Sequence, residues 1–336
     1  MPPGTSSSHP ESMKAWLYTP TSSPLEESLQ NIPSTRPPPP PKNNEVLVRV
    51  LSAALNPLDY KFPSMGFPFR LLLGNQVSPG LDFCGRVVAA GPLAQHFTEG
   101  QLVHGAHPYP TQFGSLGEYV CLGAENIVAV PDGVTVDNAA ALPVAGLTAL
   151  QSLEGRVKAG DRVLVIGGSG GCGTFGIQIA KNMGAHVTAV CSARNMELCL
   201  RYGADEVVDY VGESDLVGKL ERRGSVFDIV VDFVGDERLY YGCHRFLREG
   251  LLWPAFLGGG RRKIVFVMVK NDMRQLGMLG EWVAEGKIQV QVDGVYEFQD
   301  AVKAFERLRS GRARGKIIVH VNDPNEHSME AFGIGL

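Results

Sequence analysis

Residues 162–173 read RVLVIGGSGGCG. RVLVI (162–166) is a continuous apolar run, the pattern of a parallel strand covered on both faces. A glycine-rich stretch follows, in which Gly168, Gly170 and Gly173 satisfy the spacing GxGxxG. The next segment, GTFGIQIAKNMG (173–184), sets Phe175, Ile179 and Met183 at i, i+4 and i+8, one apolar stripe of a helix that Gly184 closes. HVTAV (186–190) is a second strand. Strand, glycine turn, helix and strand form the context in which this motif holds a dinucleotide. Gly170 and Gly171 let the backbone approach a pyrophosphate, and the helix N-terminus offers it N–H groups. Ser169, Gly170, Gly171, Cys172 and Gly173 are therefore the expected phosphate-loop residues. Cys172 needs only to be small there and is not read as a nucleophile.

The second strand runs into CSARN (191–195). An NAD site usually places Asp or Glu at this turn, to hold the ribose 2′-hydroxyl. This turn carries none, and offers Ser192 and Arg194 instead. An acid would repel a 2′-phosphate, whereas a serine hydroxyl and a guanidinium welcome one. Tyr210, ending GADEVVDY (203–210), adds a phenol donor. The expected cofactor is NADPH.

Outward from this unit the alternation continues. Asn195 is expected to cap a helix with Met196, Cys199 and Leu200 inward; EVVDY, GESDLVGKLERRG and FDIVVDF then repeat the strand–helix pattern. The expected architecture is α/β, with a doubly wound parallel sheet. Residues 14–145 differ. KAWLY (14–18), EVLVRVLSAA (45–54), GLDFCGRVVAAG (80–91) and YVCLG (119–123) are short strands punctuated by Gly and Pro, a small barrel-like β domain. PPPPP (37–41) reads as a stiff connector. Near the C-terminus, DAVKAFERLRSGRARGKIIVHV is a helix and then a strand that can rejoin the first domain.

Composition narrows the function classes. The chain has 336 residues, 44% hydrophobic and 20% charged, which suits two packed domains. A net charge of −4 gives no electrostatic case for nucleic acid or an anionic membrane, and no apolar run is long enough to span a bilayer. MPPGTSSSHPES lacks the pattern of a secretory signal and reads as a flexible tail; a cytoplasmic location is expected. The six cysteines form no CxxC and are expected to be reduced. His104 and His107, beside Gly105 and Pro108, read as a solvated loop pair rather than metal ligands.

ALNPLDYK (54–61), PGLDFCGRV (79–87), GSLGEYV (114–120), AAALPVAGLTALQ (139–151), GGSGGCGTFGIQIAK (167–181) and GADEVVDY (203–210) occur in this order. Together they resemble the medium-chain dehydrogenase/reductases, in the zinc-independent quinone oxidoreductase-like branch. LYYGCH (239–244) and PAFLGGGRRK (254–263) look like fungal members, which include enoyl reductases of secondary metabolism. The resemblance covers residues 13–321. It implies a GroES-like β-barrel catalytic domain (13–143), a Rossmann NADPH-binding domain (144–272) and a return segment (273–321), with flexible tails at 1–12 and 322–336. Where the zinc-dependent branch carries a cysteine ligand, this sequence has Asn56 and Pro57; where that branch has GHE, it has Gly80-Leu81-Asp82.

The same resemblance implies hydride transfer from NADPH to an activated C=C bond, in an enone or enoyl thioester, or to a quinone. Thr148, Val234, Gly235, Gly315 and Lys316 match positions near the nicotinamide end, and Asn56, Tyr60 and Lys61 match the substrate side. A Tyr or Lys there can bond the substrate oxygen on which charge develops; the alternative for Lys61 is a surface ion pair with Asp59. The chain is expected to act as a monomer, or as a homodimer joined through its sheet edges. One departure stands out: HRFLREG (244–250) runs almost directly into LLWPAFLGGG (251–260), as if about one strand beside the nicotinamide were missing. That departure motivates an alternative reading, a non-redox cyclase or isomerase on the same scaffold with NADPH structural or absent.

Overall fold

The computed structural model describes residues 9–20, 24–63, 67–211, 215–224, 226–235, 237–245 and 267–325. The shortening near Gly250–Leu251 and LLWPAFLGGG lie outside these residues. Two compact units separate: Met1–Val144 with Lys270–Ala284 and Val292–Leu336, and Ala145–Val269 with Glu285–Gln291. In chain order the strands are β1 (Met13–Leu17), β2 (Gln30–Thr35), β3 (Glu45–Leu55), β4 (Asp82–Ala90), β5 (Leu102–Ala106), β6 (Tyr119–Gly123), β7 (Ile127–Ala129), β8 (Arg162–Ile166), β9 (His186–Cys191), β10 (Glu206–Asp209), β11 (Ile229–Asp232), β12 (Val292–Glu297) and β13 (Lys316–His320).

In the first unit, β12, β13, β3, β4, β5 and β7 lie side by side, and β6 pairs with β3; β1 and β2 form a separate ribbon. The long strand β3 is the organiser. One edge takes β4, and the other takes β6 over Glu45–Arg49 and β13 over Ser52–Leu55. The last strand therefore returns to the first domain, as its apolar run KIIVH demands. Val46, Val48, Phe83, Val103, Phe305 and Ile317 fill the core, and the Trp16 indole joins it, donating to the Phe298 carbonyl at 2.6 Å. Asn322, placed in the loose tail by its polar neighbours, is buried instead: its Nδ2 donates to the Val50 carbonyl at 2.7 Å.

In the second unit the parallel order is β10-β9-β8-β11. This is the arrangement of a mononucleotide-binding half, with the direction of winding reversing between β8 and β11. The helix Gly171–Asn182 is buried on all sides from Gly173 to Ala180 rather than along one stripe. Residues 285–291, read from sequence as part of the return segment, bond within this unit: Gln178 Nε2 donates to the Gln289 carbonyl at 2.9 Å, and the Tyr202 hydroxyl to Gln291 Oε1 at 2.7 Å. Leu200, expected inward, is 49% exposed; Leu198 and Cys199 are the buried pair of that helix. Among the described residues, no helix is long and apolar enough to cross a membrane.

Candidate active site and cofactor site

All four parallel strands end on one side, so the loops after β8, β9, β10 and β11 share it. There the glycine loop is shaped by contact. Gly167 and Gly168 both donate to the Val190 carbonyl, at 3.1 and 2.9 Å, which ties the loop to β9. A Cβ at Gly173 would stand 2.1 Å from the Gly167 carbonyl oxygen and 2.8 Å from its carbon, so only glycine lets helix and strand approach this closely. Gly170 differs: a Cβ there would meet nothing nearer than the Gly167 oxygen at 3.4 Å. The protein leaves that face of the loop open. Gly170 is also the N-cap of Gly171–Asn182 and, as a glycine, brings no side-chain cap of its own. An open glycine face in front of a helix start fits a pyrophosphate.

Several of the expected residues lie beside this loop. Ser169 accepts a hydrogen bond from Asn195 Nδ2 at 2.9 Å, linking the phosphate loop to the turn after β9. Asn195 stands at the N-cap position but its side chain makes no cap; it serves this link instead. Ser192 is buried and Arg194 exposed. Tyr210 is 51% exposed, and its N–H donates to the Cys191 carbonyl at 3.2 Å, which brings it to the same turn. Val234 and Gly235 follow β11, held by N–H bonds to Asp232 Oδ1 at 2.8 and 3.0 Å. A Cβ on Gly167 would meet Val234 Cγ2 at 2.7 Å, so this turn lies against the glycine loop. Cys172 is half-buried in the loop, and Thr148 is half-buried in the helix Pro143–Leu153.

In the first unit, Asn56 and Lys316, expected at the substrate side and at the nicotinamide end, are partners. Lys316, on β13, is 3% exposed, and its Nζ donates to Asn56 Oδ1 at 2.6 Å, to the Leu55 carbonyl at 3.2 Å and to Asp82 Oδ2 at 3.2 Å. Asn56 Nδ2 in turn donates to Asp82 Oδ2 at 2.9 Å and to the Ala54 carbonyl at 3.4 Å. Asp82 Oδ1 accepts the Val144 N–H at 3.1 Å. All three ammonium protons and both amide protons are thus used internally. Neither side chain has a proton left to donate to a ligand, and both fix the backbone around Leu55 and Asn56. Gly315, just before β13, holds a φ of 104°, a conformation that favours glycine.

Tyr60 and Lys61 lie on the short helix Pro57–Lys61, which Asn56 and Asp59 start with reciprocal caps. Lys61 is exposed. Tyr60 is half-buried with the Arg309 guanidinium 4.5 Å from its ring centre, and Arg309 is held by both oxygens of Glu26. Asp59 is no surface ion-pair partner. It is 4% exposed, its Oδ2 accepts the Asn56 N–H at 2.7 Å, and among the described residues its Oδ1 is buried short of a full hydrogen bond, with the Leu81 backbone beside the carboxyl. Burial, with Asp82 nearby, pushes its carboxyl up to about 7, against the lowering effect of the Asn56 N–H. The two histidines are buried as well, not solvated: His104 lies on β5 with Nδ1 2.8 Å from the Ala139 carbonyl, and burial holds both rings down to about 4, hence neutral.

The profile of the alcohol dehydrogenase GroES-like domain matches residues 42–132, and that of a zinc-binding dehydrogenase domain matches residues 202–319. The chain is 40% identical to the trans-enoyl reductase pgmF of Aspergillus terreus over 94% of its length and 98% of that protein. It is 34% identical to the 2-methylene-furan-3-one reductase of Solanum lycopersicum, over 94% of its length and 81% of that protein. Among solved structures, the quinone oxidoreductase from Coxiella burnetii superposes with a TM-score of 0.82 at 30% identity, covering 93% of this chain and all of that one. The described residues do not fit the zinc named for one of these domains. Among the described residues no group of three or more His, Cys, Asp or Glu side chains converges, and the oxygens of Asn56 and Asp82 hold the Lys316 ammonium.

Proposed function

The chain belongs to the medium-chain dehydrogenase/reductase superfamily, in its quinone oxidoreductase-like enoyl reductase branch, and we propose that it uses NADPH to reduce an activated C=C bond or a quinone. It is an oxidoreductase, and its family is nicotinamide-dependent. The substrate on this reading is a small enone, enoyl thioester or quinone, an intermediate of secondary metabolism. The observation that carries the cofactor reading is the open glycine face before the helix Gly171–Asn182, next to a turn whose own residues are Ser192 and Arg194.

When bound, NADPH supplies a hydride, which adds to the carbon β to the substrate carbonyl. The chain's own residues do the rest. Gly170, Gly171, Cys172 and Gly173 present backbone to the pyrophosphate, with Ser169 set by Asn195. Ser192, Arg194 and Tyr210 bind the 2′-phosphate. Thr148, Val234, Gly235 and Gly315 serve the nicotinamide end. Tyr60 and Lys61 donate to the substrate oxygen as it gains negative charge, which lowers the barrier. A proton from Tyr60, Lys61 or water passes to the α-carbon and completes the reduction. Asn56 and Lys316, saturated by each other and by Asp82, set the start of the Pro57–Lys61 helix and so position Tyr60 and Lys61.

Calorimetric titration with NADPH and then NADH tests the cofactor reading. NADPH binding that weakens about tenfold in Arg194→Ala, a loss of about 1.4 kcal/mol, is the expected result. Failure of both cofactors to bind would overturn it.

A further inference from the structure

The turn after β9 has no acid of its own, but the fold supplies one. Asp209 ends β10, and the parallel register sets it beside Cys191, the last residue of β9. From there its Oδ1 accepts the N–H of Ala193 at 2.9 Å and that of Val211 at 2.9 Å. Ala193 is flanked by Ser192 and Arg194, so a carboxylate is bonded to the segment that offers a hydroxyl and a guanidinium. Among the described residues no ion pair neutralises Asp209, and no hydrogen bond reaches its Oδ2. Lys219 comes close, but its Nζ donates to the Asp209 backbone carbonyl, at 3.3 Å.

We propose that Asp209 is the residue that sets cofactor preference in this chain. Its carboxylate accepts a ribose 2′-hydroxyl and repels a 2′-phosphate, which carries up to two negative charges. Ser192, Arg194 and Tyr210 pull the other way. The chain therefore binds both NADPH and NADH, with a margin for NADPH smaller than those three residues alone would give. A usual dinucleotide site takes its acid from the end of the second strand; this one takes it from the end of the third, and the same acid holds the turn in shape. The inference rests on the nicotinamide reading above.

Asp209→Asn isolates the charge. The asparagine Oδ1 can accept the same two N–H bonds, so the turn keeps its shape while the negative charge disappears. Dissociation constants for NADPH and NADH are measured by calorimetry on the full-length wild type and on the variant. Wild-type binding of both cofactors is expected, with NADPH binding about tenfold tighter in Asp209→Asn, about 1.4 kcal/mol, and NADH unchanged or up to about threefold weaker. Asp209→Ser, a second neutral replacement, shifts the ratio in the same direction and covers the case in which the asparagine chain folds poorly. A ratio unchanged in both variants, with the wild type binding NADPH, overturns the role of Asp209 and leaves the cofactor reading standing. A wild type that binds neither cofactor overturns both.

Discussion

Replacing Asp59 by asparagine should stabilise the first unit in a pH-dependent way. Asp59 is buried, among the described residues one of its oxygens has no full hydrogen bond, and burial pushes its carboxyl up to about 7. An unfolded aspartate titrates near 4. The sign follows from the linkage. The folded state prefers the protonated acid, so nothing is lost below about pH 4; stability falls as the pH rises from there and is fully reduced above about pH 7. Between those limits the difference corresponds to about 4 kcal/mol. Asparagine carries no charge, and its Oδ1 can still accept the Asn56 N–H. Its NH2 group meets the Oδ1 site, at a cost of about 1 kcal/mol. Asp59→Asn should therefore be more stable than wild type by about 2–3 kcal/mol at pH 8, and about equal to it at pH 4.5, where the wild type has already lost about 1 kcal/mol. Urea denaturation followed by tryptophan emission reads this, since Trp16 lies in the core of that unit. An equal difference at both pH values, or a loss at pH 8, would refute the reasoning.

Lys316→Met leaves the Asp82 carboxylate buried with its cation removed, and should cost about 3–5 kcal/mol in the same urea experiment. Gly170→Ala should keep the wild-type urea midpoint while losing NADPH binding, because its methyl fills only the open face; Gly173→Ala, facing backbone at 2.1 Å, should lower the midpoint as well. Asn195→Ala cuts the link to Ser169, so NADPH affinity in a calorimetric titration should fall severalfold with little change in stability.

The second unit was legible because its signals are local. RVLVI is β8 residue for residue, YVCLG in the first unit is β6, and the glycine spacing marks the turn. What sequence missed depends on pairing at long range. Asp59 sits between Pro57 and Lys61 and looks solvated; it is buried, with Asp82 and the Leu81 backbone, more than twenty residues on, acting on its carboxyl. Asp209 acts on a turn about sixteen residues before it only because β9 and β10 run in parallel register. Asn56 and Lys316 meet across 260 residues, through the pairing of β13 with β3. Their residue types suggested chemistry, and neither spacing nor periodicity could show that they satisfy each other. His104 was misread because its glycine neighbour suggested a loop, whereas Gly105 in β5 lets the strand lie close to the Asn126 carbonyl.

The central claim is hydride transfer from NADPH to a carbon–carbon double bond or a quinone. The direct measurement is incubation of the protein with NADPH deuterated at the transferable position and a panel of α,β-unsaturated ketones, enoyl thioesters and quinones, with products read by mass spectrometry and NMR. For the unsaturated carbonyl substrates, one deuterium at the β-carbon of a saturated product, matched one-to-one by oxidised cofactor, is the result the account predicts; for a quinone it is hydroquinone formed one-to-one with oxidised cofactor. NADPH that binds but stays reduced across the panel, or product formed with no cofactor oxidised, would contradict it.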